Sequence, residues 1–92
     1  MRERTFQVEN RLGLHARPAA LFVHAASRHS CEVKVCKRAD REEIVVNGKS
    51  VMGLMMLAAA FGERVKVIVD GPDEDKALKE FEDLFARKFD ED

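Results

Sequence analysis

The apolar residues of this chain change their period along its length, and that change limits what it can fold into. Thr5-Phe6-Gln7-Val8 alternates polar with apolar, and Cys31 to Cys36 alternates again. Alternation puts successive side chains on opposite faces of a strand. Between the two, Ala19, Phe22, Val23 and Ala26 recur at i, i+3, i+4 and i+7, the spacing of one helix face. Pro18 opens that helix, because a first-turn N–H has no partner to lose. The helix is expected to run to Arg28, with His29-Ser30 ending it. Lys37 to Glu43 is a charged connection, read as an exposed hairpin tip. Ile44-Val45-Val46 makes a third strand, stopped by Asn47-Gly48. Ser50 is then the natural N-cap of a second helix, running from Val51 to Phe61 and closing on Gly62. Val65-Lys66-Val67-Ile68-Val69 is the most apolar strand and belongs in the middle of a sheet. Asp70-Gly71-Pro72-Asp73-Glu74-Asp75 starts a third helix, with acids in its first turn to complement the dipole. Its buried face is Ala77, Leu78, Phe81, Leu84 and Phe85, and Asp90-Glu91-Asp92 is expected to fray.

The resulting order, β-α-β-β-α-β-α, reads as an α+β sandwich with helices on one face of an antiparallel sheet. Ninety-two residues make one domain, residues 1–92, with one modest core. No long apolar run and no signal-peptide pattern is present, so no membrane insertion and a cytoplasmic location are expected. Cys31 and Cys36 fit a reducing compartment; their spacing completes no zinc set, and no metal is expected. Strand parity puts Cys31 in the core and Cys36 on the exposed side. Net charge is −1, but residues 1–41 carry nine Lys/Arg against four Asp/Glu, and residues 70–92 carry four against ten. The basic half points to an acidic partner. Nucleic acid is disfavoured, because the aromatics are all Phe and read mostly as core, and no basic stripe appears.

One histidine stands between a glycine turn and the helix-opening proline, in Asn10-Arg11-Leu12-Gly13-Leu14-His15-Ala16-Arg17-Pro18-Ala19-Ala20. His15 is thereby placed at the positive end of a helix, where unpaired N–H groups favour an anion. Arg17 adds a planar fork of donors suited to phosphate. Together these groups suggest a histidine that accepts a phosphoryl group while its new charge is stabilised. A histidine near a helix start is more often a plain surface residue or cap, but the whole stretch is more specific. It resembles the active-site loop of the HPr family, the histidine-containing phosphocarriers of the bacterial phosphotransferase system, through Asn10, Gly13, Leu14, His15, Ala16, Arg17, Pro18 and Ala19. The resemblance implies an open-faced β-sandwich, a four-stranded antiparallel sheet in the order 1-4-2-3 with three helices on one face. It implies a phosphoryl carrier rather than a stand-alone catalyst. Enzyme I, itself phosphorylated from phosphoenolpyruvate, donates to Nδ1 of His15; Arg17 stabilises the group; the A domain of a sugar-specific enzyme II receives it. No cofactor is expected, and the chain is expected to be a monomer.

A second stretch, Val46 to Leu57, carries two signals. Gly48-Lys49-Ser50 between strand and helix mimics the end of a P-loop, but Glu43 stands where the first loop glycine belongs, and too few residues remain to wrap phosphates. The other signal is methionine. Met52, Met55 and Met56 lie within one turn and cannot all face the core; some are expected to be core filler and the rest an adaptable surface. The segment resembles the second HPr signature, whose serine is phosphorylated by a dedicated HPr kinase/phosphorylase in many bacteria; Ser50 matches it. The expected partner-binding ring is Arg17, Ala20 and His24 of the first helix with Val51, Met52 and Met55 of the second. Other readings are a nitrogen-branch carrier feeding a regulatory relay, a regulatory HPr-like module working through phospho-Ser50, and a small binding module without phosphoryl chemistry.

Overall fold

The structure, a computed structural model, describes residues 1–91. Its elements follow the expected order: strand β1 (Arg2–Gln7), helix α1 (Ala16–Ser27), β2 (Glu32–Ala39), β3 (Glu42–Asn47), α2 (Val51–Leu57), β4 (Arg64–Asp70) and α3 (Glu74–Ala86). The strands form one antiparallel sheet in the order β1-β4-β2-β3. The helices pack against one of its faces, which gives the open-faced sandwich that the resemblance implied. β4 lies between β1 and β2, and Val65, Val67 and Val69 are all buried against the helices. Phe6 of β1 stacks on Phe85 of α3 with ring centres 4.5 Å apart, and Phe22 of α1 stacks on Phe81 at 4.3 Å. Burying a side chain of this size contributes roughly 1.5–3 kcal/mol. The two stacks therefore fix α1 and α3 on the sheet, and with them the loop between β1 and α1.

The strands reach further than alternation alone suggested. The charged Lys37–Glu43 segment is mostly paired strand, with Lys37 opposite Ile44 and Ala39 opposite Glu42; only Asp40 and Arg41 turn, Asp40 at φ 57°. Charged side chains suit β3 because it is an edge strand. Cys36 is buried rather than exposed. Its parity is as expected, on the open side of the sheet, but Val45 and Lys66 flank it across the ladder. Lys66 pairs with Glu43 at 3.6 Å and Glu3 at 3.9 Å along that face. Burial pushes both the Cys31 and the Cys36 thiol pKa up.

α1 begins at Ala16, two residues before Pro18. α2 ends at Leu57 instead of near Phe61, and Ala58 takes the left-handed conformation at φ 54°. Alanine favours helix, so the break has a tertiary cause. The carbonyls of Ala58 and Ala59 accept from Lys37 Nζ (3.1 Å) and Leu14 N–H (2.9 Å), and Ala60 N–H donates to Glu63 (2.7 Å). That amide, helped by Lys37, holds the Glu63 carboxyl below its usual range. The tail is ordered through Glu91. Lys88, Phe89 and Asp90 make a left-handed turn at φ 54°, 54° and 60°. Phe89 is fully buried, edge-on to Phe85 at 4.9 Å. Asp92 lies outside the described residues. Among those residues no helix is long and apolar enough to cross a membrane.

Candidate functional site

The loop between β1 and α1 is anchored from several sides. Val8 N–H donates to the Glu63 carbonyl (2.8 Å), and Gly62 N–H to the Val8 carbonyl (2.7 Å). Leu14 is buried, and its N–H reaches Ala59. Gly13 sits at φ +71°, and a Cβ there would lie 2.5 Å from the Ala59 carbonyl oxygen, so only glycine fits. Asn10 is fully buried and donates from Nδ2 to the Gly13 carbonyl and, at 3.3 Å, to Glu91 Oε1. Among the described residues its Oδ1 has no donor. An unpartnered buried acceptor costs about 1–3 kcal/mol, and such groups call for a reason beyond packing.

His15 is the N-cap of α1, with extended backbone at φ −81°, ψ −169°. Its carbonyl accepts the Ala19 N–H at 3.0 Å, yet its ring makes no capping bond. Pro18 brings no N–H, so those of Ala16 and Arg17 remain at the positive helix end. The His15 side chain is 35% exposed, and Nε2 lies 3.1 and 3.0 Å from the two carboxylate oxygens of Glu91. Arg17 is exposed and lines a cleft of about 370 Å³ with Arg11, Leu12, Asp90 and Glu91. His15 lines an adjoining hollow of about 230 Å³ with Leu12, Leu14, Met55 and the turn 58–60. A cavity of about 430 Å³ beside Ser30, Lys34 and Lys49 touches none of these residues. A ring nitrogen and the positive end of a helix stand at a half-open surface, and Arg17 lines the adjoining cleft. Such a site suits an anionic group that must arrive and leave.

The family model described as the PTS HPr component phosphorylation site matches residues 2–87. The phosphocarrier protein HPr of Treponema pallidum (strain Nichols) is 48% identical over 88 residues, 96% of each chain. The chain belongs to the HPr family of phosphocarriers. HPr-C-His of Thermoanaerobacter tengcongensis matches it with a TM-score of 0.88 at 44% identity, over 100% of this chain and 99% of that one. Crh, the catabolite repression HPr of Bacillus subtilis, matches with 0.61 at 39% identity, over 95% of this chain and 94% of that one. The role that follows is that of a phosphoryl carrier in a phosphotransferase system.

In this HPr-family chain Arg17, Ala20 and His24 are all exposed and share one side of α1 by their spacing. Ser50 is the N-cap of α2, and its Oγ accepts the Gly53 N–H at 3.0 Å. Val51 is half-buried, and Met52, Met55 and Met56 are 69%, 43% and 74% exposed. None of the three methionines fills the core; Leu54 and Leu57 hold those positions. Of these α2 residues, Met55 shares the hollow with His15. Leu12 and Phe61, at 71% and 64% exposed, add apolar surface that periodicity did not single out. Leu12 was legible as an apolar residue in a loop. Glu91 was not legible, because it stands 76 residues beyond His15 in an acidic tail.

Proposed function

We propose that His15 accepts a phosphoryl group at Nδ1 from phosphorylated enzyme I and passes it to the A domain of a sugar-specific enzyme II. The observation that carries this reading is the place of His15: it caps α1 in position while its ring stays free of capping, two residues before Arg17. The Nδ1 lone pair attacks phosphorus as the donor's bond to phosphorus breaks. The Ala16 and Arg17 N–H groups and the Arg17 guanidinium then hold the phosphoryl oxygens. An open site leaves the group free to depart.

Partner binding falls to Arg17, Ala20 and His24 with Val51, Met52 and Met55. Adaptable methionines at the centre and basic residues at the rim suit a small interface that two partners share in turn. Ser50 is the regulatory site for an HPr kinase/phosphorylase. A phosphate there adds about 1.5 to 2 negative charges at a helix N-terminus, which the fold tolerates and an acidic partner does not. The working form is a cytoplasmic monomer of one domain. Labelling with phosphoenolpyruvate and enzyme I tests the reading: wild type takes up an acid-labile phosphoryl group and His15→Ala does not. Undiminished labelling of the variant overturns it.

A further inference from the structure

Glu91 reaches the carrier histidine by an unusual route. Lys88, Phe89 and Asp90 all lie in the left-handed region that L-residues disfavour, at φ 54°, 54° and 60°. Buried Phe89 holds the turn in place, and the next residue is Glu91. Backbone strain concentrated beside a reactive group is a recurrent mark of a functional constraint. The Glu91 side chain is only 18% exposed, and both of its oxygens lie within 3.1 Å of His15 Nε2. Asn10 Nδ2, fully buried, steadies Oε1 from the other side at 3.3 Å. A chain of contacts thus runs from the Gly13 carbonyl through Asn10 and Glu91 to the ring of His15.

A carboxylate only accepts hydrogen bonds, so the nitrogen facing it carries the proton. We infer that Glu91 is a positioning residue for phosphoryl uptake: it holds the proton on Nε2, leaves the lone pair on Nδ1, and closes Nε2 to phosphorus. The inference rests on the carrier reading above. In the step, the Nδ1 lone pair forms the new N–P bond while the donor's bond to phosphorus breaks, its electron pair leaving with the donor. The Nε2 proton stays on the ring. The positive charge that the ring gains then faces the Glu91 carboxylate, as the imidazolium of an acyl-transfer triad faces its aspartate. Asn10 keeps Glu91 from swinging away, which gives the buried amide a task that packing does not.

The test uses Glu91→Ala and Glu91→Gln, with potassium phosphoramidate as a small N–P donor that needs no docking surface. Nitrogen NMR on the unphosphorylated proteins reads the His15 tautomer. Phosphorus NMR on the treated proteins separates the Nδ1 from the Nε2 product. The wild type is expected to show the proton on Nε2 and the phosphoryl group on Nδ1. Glu91→Ala is expected to show a mixed tautomer, some Nε2 product, and uptake at Nδ1 about tenfold slower, the low end for losing a histidine's outer partner. Glu91→Gln can still accept from Nε2 and should recover the tautomer and the regiochemistry, with part of the rate. Glu91→Ala with wild-type tautomer, product and rate overturns the inference. Absence of any His15 product in the wild type brings down the carrier reading instead, and the inference with it.

Discussion

The N-termini of α1 and α2 are built to the same plan and used differently. At α2 the cap residue serves its own helix: Ser50 Oγ takes the Gly53 N–H at 3.0 Å. At α1 the cap residue, His15, has a ring that bonds no N–H of its helix and turns to Glu91 instead. The N–H groups left over at α1 are then available to an anion, and on the proposed carrier reading the ring that stands among them is the nucleophile. A third case confirms the pattern from another side. Asp73 stands at the α3 cap position, yet its carboxylate accepts from the Ser30 and Cys31 amides at 2.9 and 3.0 Å, tying α3 to the end of α1. The lesson is that cap position and cap function are separable. Where they separate, the side chain is free for other work, architectural at α3 and, on the proposed carrier reading, chemical at α1.

The sharpest break in this comparison comes from removing the two cap side chains in turn. His15→Ala should abolish phosphoryl uptake while costing no more than about 1.5 kcal/mol of stability, because the contact with Glu91 goes but no capping bond is lost. Labelling and thermal melts on the same preparation check both halves. A large loss of stability would mean that the ring is structural after all. Arg17→Ala should slow transfer roughly tenfold to a thousandfold, the span for losing one to three charge-stabilising contacts, with the melt unchanged. Transfer at the wild-type rate would show that the guanidinium is bystander charge.

Ser50 should behave in the opposite way. Ser50→Ala is expected to lose about 1 kcal/mol through the missing cap and to keep its transfer rate. Ser50→Asp should fold normally and accept from enzyme I more slowly, since added negative charge at a docking rim slows association with an acidic partner. A well-folded Ser50→Asp that transfers as fast as wild type would leave Ser50 as a cap alone.

The smallest effect is expected at α3 and appears in acid. The Ser30 amide, with that of Cys31, holds the Asp73 carboxyl down to about 2 from its ordinary 3.8. A lowered folded-state pKa adds stability that is present above the unfolded value and fades as pH falls through the folded one. The wild type and Asp73→Asn should therefore differ most above pH 4 and converge towards pH 2. Parallel acid-unfolding curves would remove Asp73 from the account.

These three helix starts also show what could be read before the structure. Pro18 and the spacing of Ala19, Phe22 and Ala26 announced α1, and Ala77 to Phe85 announced the face of α3, because a 3.6-residue period is a local property. The end of α2 was hidden. Ala58 to Phe61 has helical character, and the break comes with distant partners, Lys37, Leu14 and Glu63, that take its carbonyls and amide. Cys36 was assigned to the correct side of the sheet, but nothing local says that Val45 and Lys66 will cover it. His15 and Arg17 stood out through a dense local motif. Asn10 belonged to that motif without a visible role, and Glu91 had no local signal at all. Both acquire meaning only when the buried Phe89 turn brings the tail back to α1.

The central claim is that the uncommitted cap residue of α1 is the carrier. The most direct measurement is the site of the phosphoryl group after treatment of the wild type with phosphoenolpyruvate and enzyme I, read by phosphorus–nitrogen coupling in the isotopically labelled protein. The account predicts one acid-labile group on Nδ1 of His15, with His24 and His29 unmodified. A group on His24, on His29 or on a serine, with His15 untouched, would contradict it.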